Sequence, residues 1–351
     1  MDVGDHFRPS RKKRWKDAAL NYAEKLGVNT IFQYFDRYLG ETLYVLIYHR
    51  VEEYGLHPYL DPALISAVPA QFDAQMRLIT EKYHPVSVED VLSAIESQAP
   101  LPNNPVLVTV DDGYRDFKDV LLPIAKRYGI KPILFIPTAF VGQGLFWWDK
   151  LYIAISNCTK DELPTPYGIF PVRTLEEKSQ AIGQLRQEVK ALPFEQGMQF
   201  VNSIYAEHTT KDFNPPSITL TWDELRQLST EGVTIAAHTH THPLLSRITF
   251  EQACQEIRLS QETICREIGK ALPIFAYPDG KPEYIPLELI DFLRTEGFKF
   301  AVTTVEGGAT LSADTALYFP RIGLWPSHTL AAFHLHLTPF YRLLKGEKAA
   351  Y

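Results

Sequence analysis

The sequence predicts an α/β fold, a distorted (β/α) barrel of about seven strands with a helical insertion, and three observations carry that prediction. Short apolar, β-branched runs alternate with amphipathic stretches along most of the chain, the rhythm of a parallel sheet with helices outside. The 351 residues are long for one average domain but normal for a single barrel with insertions. The residues with the most evident chemistry follow directly on apolar runs, where barrels and open α/β sheets keep their sites.

Taken in order, residues 1–41 read as a helical extension to a domain at 42–340. The start is basic, with Arg8, Arg11, Lys12, Lys13, Arg14 and Lys16. Apolar residues at helical spacing over 15–26 stop at Gly27, and Asn29 can cap a second helix over 30–39. A basic, aromatic-bearing helix could make peripheral membrane contact; a solvated helix packed against the barrel is the plainer reading. Residues 43–51 form the first strand and 52–69 a proline-bearing rim loop. Helices over 72–83 and 88–97 flank a short strand at 85–87. Strand 106–110, crossover helix 116–128 and strand 132–137 follow, with Gly129 closing the helix.

From Gly142 to about Pro216 the rhythm breaks, which reads as an insertion between barrel strands. Phe146-Trp147-Trp148-Asp149 opens it, and 175–201 is mostly helical in pattern. Trp147 and Trp148 suit sugar stacking, although large aromatics near an insertion are more often core anchors. Asp149 could line the entrance to a site. A helix over 220–229 has Thr221 as N-cap and Glu224 three residues on, the capping-box arrangement. Strand 233–237, helix 250–268, strand 273–277, helix 285–296 and strand 298–304 complete the pattern.

Composition narrows the class of function. A net charge of −7 argues against a nucleic-acid surface. Three cysteines, Cys158, Cys254 and Cys265, suggest no disulfide framework and agree with a reducing compartment. No apolar stretch approaches the roughly 20 residues of a membrane span. The N-terminus lacks the apolar core of a secretory signal, so a cytoplasmic location is expected.

Two strand ends hold the chemistry. Val106-Leu-Val-Thr-Val110 is followed at once by Asp111, Asp112 and Gly113. Adjacent buried carboxylates repel, so they need a cation or a shared proton. The other reading is an ordinary strand-to-helix turn with Asp112 or Asp116 as a cap, and this segment alone does not choose. The second end does. His238, His240 and His242, three of the chain's eleven histidines, alternate directly after an apolar run. In extended backbone all three would face one side; in a helical turn only His238 and His242 would. Either arrangement lets two neutral imidazoles share one ion, and zinc sites commonly use His nitrogens at about 2.0–2.1 Å.

Together these segments resemble the polysaccharide deacetylase family, the NodB-homology carbohydrate esterases. Thr109-Val110-Asp111-Asp112-Gly113 matches its Thr-Phe-Asp-Asp-Gly motif, and His238-Thr239-His240-Thr241-His242 its His-Ser/Thr-x-x-His motif. Phe275-Ala276-Tyr277-Pro278-Asp279-Gly280 is similar to the family's Phe-Ala-Tyr-Pro-Tyr-Gly, with Asp279 in place of the last Tyr. The strand ending at His49 looks like the Tyr-His-x-Val opening of members with permuted motif order. The four motifs run in order from roughly Leu43 to Gly323.

The resemblance implies a NodB-like barrel and a site. Asp111 would be the catalytic base, with Asp112, His238 and His242 holding a divalent metal ion, zinc before iron, cobalt or nickel. His240 falls in a variable position and could stand beside the metal or face solvent. Tyr277, Asp279 and Gly113 would meet substrate or oxyanion, chiefly through a backbone N–H near Asp279. Some relatives orient the base with an Arg where this chain has Ala276, which makes Arg321 the candidate replacement. His49 would be the general acid, with His334 and His336 as rivals. The implied reaction is deacetylation of an N-acetylated sugar in a polysaccharide, glycolipid or lipid-linked glycan, water attacking the acetyl carbonyl as Asp111 takes its proton. An O-acetyl carbohydrate esterase and a non-catalytic carbohydrate-binding protein are the alternatives.

Overall fold

The computed structural model describes residues 18, 20–31, 42–209, 213, 215–338 and 341. The basic run at Arg8–Lys16 and nearly all of the expected helix at 30–39 lie outside them. Of the expected helix at 15–26, residues 20–25 are helical and the chain turns at Leu26 and Gly27.

Seven parallel strands form a closed ring: β1 (Thr42–Tyr48), β2 (Pro105–Val110), β3 (Ile133–Ile136), β4 (Thr234–Ala237), β5 (Ile274–Ala276), β6 (Phe300–Glu306) and β7 (Phe319–Gly323). Each strand pairs in parallel with the next, and β7 returns to pair with β1, which closes the ring. This is the expected distorted (β/α) barrel. Strands buried on both faces read as near-continuous apolar runs, and every residue of β1 and β2 is buried.

The two-residue alternation of a strand sorts these side chains. Tyr44, Leu46 and Tyr48 of β1 and Val106, Val108 and Val110 of β2 pack outward with Phe72, Met76 and Leu121 of the helical layer. Leu43, Val45, Leu107, Ile133, Phe135, Ala236, Ala276, Val302 and Phe319 form the inner core, which Val88 and Val91 adjoin. The inward parity continues to Thr304 within β6 and Arg321 within β7 and, just past the ends of β1, β2 and β4, falls on His49, Asp111 and His238.

The helices are α1 (Pro69–Lys82), α2 (Val88–Ser97), α3 (Leu122–Arg127), α4 (Trp147–Asn157), α5 (Leu175–Ala191), α6 (Phe194–His208), α7 (Trp222–Thr230), α8 (Phe250–Ile268), α9 (Glu288–Thr295) and α10 (Leu330–His336). Thr221 and Glu224 make the expected reciprocal cap on α7, and α8 has the expected limits. The crossover helix differs: Phe117–Leu121 is a π turn ahead of Pro123, whose missing N–H cannot close a regular ladder. The rim loop also carries structure, because Ile65–Ala67 pairs with Arg50–Val51 and fully buried Arg50 donates to the Asp61 carbonyl at 2.9 Å.

The insertion contains α4, an antiparallel ribbon of Glu162–Thr165 with Gly168–Pro171, then α5 and α6 divided at Pro193. Leu151, Ile155, Leu163 and Leu185 give it a small core of its own. Among the described residues, no helix is long and apolar enough to cross a membrane. Cys158 and Cys254 are buried and Cys265 exposed, all three as free thiols.

Candidate active site

A cleft of about 360 Å³ opens where the C-terminal ends of the strands meet, lined by His49, Asp111, Asp112, His238, His242 and Asp279 among others. The Asp111 N–H donates to the Tyr48 carbonyl at 2.9 Å, so the β2 ladder carries on to the first acid. Asp112 (φ 75°) and Gly113 (φ 73°) then take left-handed conformations that turn the chain sharply. A Cβ on Gly113 would stand 3.0 Å from Ile136 Cγ2, and its carbonyl already accepts from Leu220 N–H at 3.0 Å. Gly113 therefore shapes the turn and is not a wall of the cleft, which corrects the expectation that it meets substrate. Asp112 caps nothing, and Asp116 accepts from Val51 N–H at 2.6 Å instead of capping the crossover helix.

The two aspartates have opposite surroundings. Arg321, fully buried, donates from Nη1 and Nη2 to Asp111 at 2.9 and 2.7 Å. Its Nε donates to the Thr303 carbonyl at 2.7 Å, which fixes the plane of the fork. Burial alone would raise the Asp111 carboxyl, but the Arg321 guanidinium, with His238 and His49, brings it to about 2. Asp112 has no such partner: Oδ1 is buried and takes part in no hydrogen bond. Burial and the charges of Asp111 and Asp149 push its carboxyl well above the usual range.

Two imidazoles face that oxygen. Asp112 Oδ1 lies 3.7 Å from His238 Nε2 and 3.5 Å from His242 Nε2, and the two Nε2 atoms are 3.2 Å apart. Their ligand atoms all fall within 4.8 Å, the only such group of three among the described residues. His238 Nδ1 is 2.7 Å from the Ala276 carbonyl, which can only accept. Nδ1 therefore carries the proton and Nε2 keeps its lone pair toward Asp112. Burial lowers both imidazole pKa values, with His238 adding to the effect on His242. A buried carboxylate oxygen without a hydrogen bond, 3.5 and 3.7 Å from two imidazole Nε2 atoms, suits a divalent cation, so the donors fit the metal the resemblance implies.

The loop carrying these histidines is neither extended nor a helical turn. Left-handed Thr239 (φ 65°) and His242 (φ 57°) fold it back, and Thr239 Oγ1 accepts from His242 N–H at 3.1 Å. His240 points elsewhere, its Nδ1 2.8 Å from Thr138 Oγ1. Trp148 packs edge-on to His242 at 4.9 Å and stacks on Phe146 at 4.6 Å. It is thus a core anchor that also backs the site, while partly buried Trp147 lines the cleft. Asp149 is fully buried and accepts from Tyr114 OH at 3.1 Å, so it does not line the entrance.

His49 lies on the cleft wall, its backbone N–H donating to Ser66 Oγ at 2.9 Å. Burial, opposed by Asp111 but reinforced by Arg321 and His238, lowers its imidazole to about 4. The rivals are elsewhere: His334 Nδ1 meets Glu24 at 2.8 Å, and His336 stacks on Tyr341. Tyr277 is a second correction. Its parity faces the helical layer, its OH donates to the Leu317 carbonyl at 2.9 Å and its N–H to the Val302 carbonyl at 3.1 Å. Nothing of Tyr277 reaches the cleft. Asp279 does line it, with its carboxylate paired to Lys190 and its carbonyl accepting from Thr304 Oγ1 at 2.5 Å.

Several lining residues were not singled out from the sequence: Arg186 and Lys190 of the insertion, Ser66 on the rim, and Trp325 after β7. Arg186 and Lys190 sit in a helix of mixed charge where no spacing sets them apart. Trp325, 49% exposed, had a detectable signal as a lone tryptophan just beyond the Arg321 strand.

A family model described as polysaccharide deacetylase matches residues 98–294. No curated protein matches the sequence. Among solved structures, a Streptococcus pyogenes deacetylase, PplD, in complex with acetate aligns at TM-score 0.58 and 18% identity, over 86% of this chain and 100% of its own. A de-N-acetylase from Aggregatibacter actinomycetemcomitans aligns at 0.54 and 16%, over 84% and 100%. BC0361, a polysaccharide deacetylase from Bacillus cereus, aligns at 0.52 and 17%, over 85% and 69%. At these identities the solved structures speak to the fold.

Proposed function

The chain belongs to the polysaccharide deacetylase family, and from that premise we propose that it is a metal-dependent hydrolase that removes acetyl groups from N-acetylated sugars. The catalytic unit would span 42–340. One observation carries the reading: Asp112 Oδ1 stands unpaired between two imidazole nitrogens, beside an Asp111 already satisfied by Arg321. Asp112, His238 and His242 would hold a divalent cation, zinc first, which supplies Lewis acidity toward the acetyl carbonyl.

The chain's own groups would do the rest. Arg321 keeps Asp111 ionised and aims it into the cleft, where it accepts a proton from the attacking water. An imidazole with a pKa near 4 is neutral at pH 7. His49 therefore becomes an acid only by taking up the proton Asp111 has removed, which it passes to the leaving nitrogen. Acetate and a free amino sugar result. Trp147 and Trp325 offer apolar faces to a pyranose ring. The Asp279 loop would orient the acetyl oxygen through its backbone, since its side chain is engaged by Lys190.

Acetate release from paired N- and O-acetylated saccharides, with and without a chelator, tests this. The expected result is release from the N-acetylated member, abolished by chelation and restored by zinc. Release confined to O-acetyl esters would replace the amidase with an esterase, and chelator-resistant turnover would remove the metal from the reading.

A further inference from the structure

The insertion does more than decorate the barrel. Helix α5 buries Ile182 and Leu185 in the insertion's own core, while Arg186 and Lys190, one turn apart, reach the cleft wall. Each meets a carboxylate of the barrel rim. Arg186 Nη2 is 2.6 Å from Asp61 Oδ2, and Lys190 Nζ pairs with Asp279. Asp61 belongs to the segment following β1 and Asp279 to the loop following β5, three strands away round a seven-strand ring. A third tether, Arg247 Nε to the Lys190 carbonyl at 2.9 Å, fastens the end of α5 to the loop after β4. The helix is therefore tied to rim segments on well-separated sides of the mouth. Each cation stands against a carboxylate, Lys190 hydrogen-bonded to Asp279 and Arg186 in ion-pair contact with Asp61 while its buried Nε makes no hydrogen bond, so both act as clasps.

The rest of the wall runs round the ring, because residues at or beyond the C-terminal ends of all seven strands line the cleft, Trp325 among them. A polysaccharide bound across a site needs two open ends. Resting on the hydrolase reading above, the geometry points to a pit that admits the end of a saccharide: the enzyme deacetylates a terminal N-acetylated sugar, and the α5 clasp is what excludes internal ones. Lys190 and Arg186 are then specificity-determining residues acting through the position of α5. The chain's departure from the Phe-Ala-Tyr-Pro-Tyr-Gly pattern is explained as well, since Asp279 supplies the anion that the insertion's Lys190 grips.

The test uses the metal-loaded full chain, a panel of N-acetylhexosamine oligomers and the corresponding long polymers, with free amines located by mass spectrometry. Wild type is expected to free a terminal amine at least about tenfold faster than an internal one, with polymer rates following the number of chain ends. Arg186→Met/Lys190→Met, checked for an unchanged melting profile, is expected to lose most of that preference, whereas Lys190→Arg keeps it. Equal wild-type rates at internal and terminal sugars would overturn the inference while leaving the hydrolase intact. So would an unaltered product pattern in the folded double variant. Absence of acetate from every oligomer and polymer would overturn the hydrolase reading and the inference with it.

Discussion

Asp111 and Asp112 are neighbours in the chain, yet the two halves of the cleft treat them as different groups. On one side, a buried Arg321 makes two hydrogen bonds to Asp111 and holds its carboxyl at about 2. On the other, Asp112 faces two imidazoles with an unpaired oxygen and a carboxyl pushed upward by burial. A fixed guanidinium completes the first half from within the protein. An unpaired charge at that depth is costly, so the second half calls for a shared proton or, on the proposed reading, a divalent cation. On the proposed reading, the difference teaches how one strand end would supply both a base and a ligand: the cation on one side is built in, and that on the other would be recruited.

Breaking the recruited side should have the largest effect. Asp112→Ala or His238→Ala is expected to abolish both bound metal and acetate release, read by elemental analysis and a turnover assay on the same preparation. Full metal occupancy in either variant would contradict the assignment. Breaking the built-in side should act differently. Arg321→Met removes the cation that depresses Asp111, so the Asp111 pKa rises and the acid limb of the pH–rate profile moves to higher pH. Removing one partner of a buried pair also costs about 3–5 kcal/mol of stability, measurable by denaturant titration. An unmoved acid limb would show that Arg321 does not set the base.

His49→Ala is expected to lower turnover by about 10²-fold with metal retained, at the weaker end of general acid catalysis. An unchanged rate would transfer the proton-donating role to another group. The last prediction reads stability and not turnover, and sharpens the comparison at its edge. Burial raises Asp149 from its ordinary 3.8 to about 7, so the folded chain binds a proton there that the unfolded chain has released. Its contribution to stability is present below pH 4 and lost as pH rises through 7. Asp149→Asn should flatten that loss by up to about 4 kcal/mol, seen in denaturant midpoints at pH 4 and 8. Parallel pH slopes in variant and wild type would contradict it.

Much of this was legible in the sequence, for reasons that differ by residue. The run Val106 to Val110 is β-branched and apolar enough to declare a buried strand, and the acids after it inherit its inward parity. Thr221 and Glu224 cap α7 through purely local contacts, which spacing reveals. Tyr277 shows the limit, since a motif places a residue in a loop but parity decides which way it faces, and here that is toward the helical layer. The ribbon at Glu162–Thr165 and Gly168–Pro171 escaped because Pro164 and Pro171 disguise its strands. Arg186 and Lys190 escaped for a different reason, because only the folding back of the insertion brings them to Asp61 and Asp279.

The most direct test of the central claim is metal content and acetate release measured together on Asp111→Asn. Separate duties for the two aspartates predict a variant that binds about as much metal as wild type while turnover falls by about 10²–10⁴-fold. Loss of the metal along with activity, or activity near wild type, would contradict the division of roles between Asp111 and Asp112.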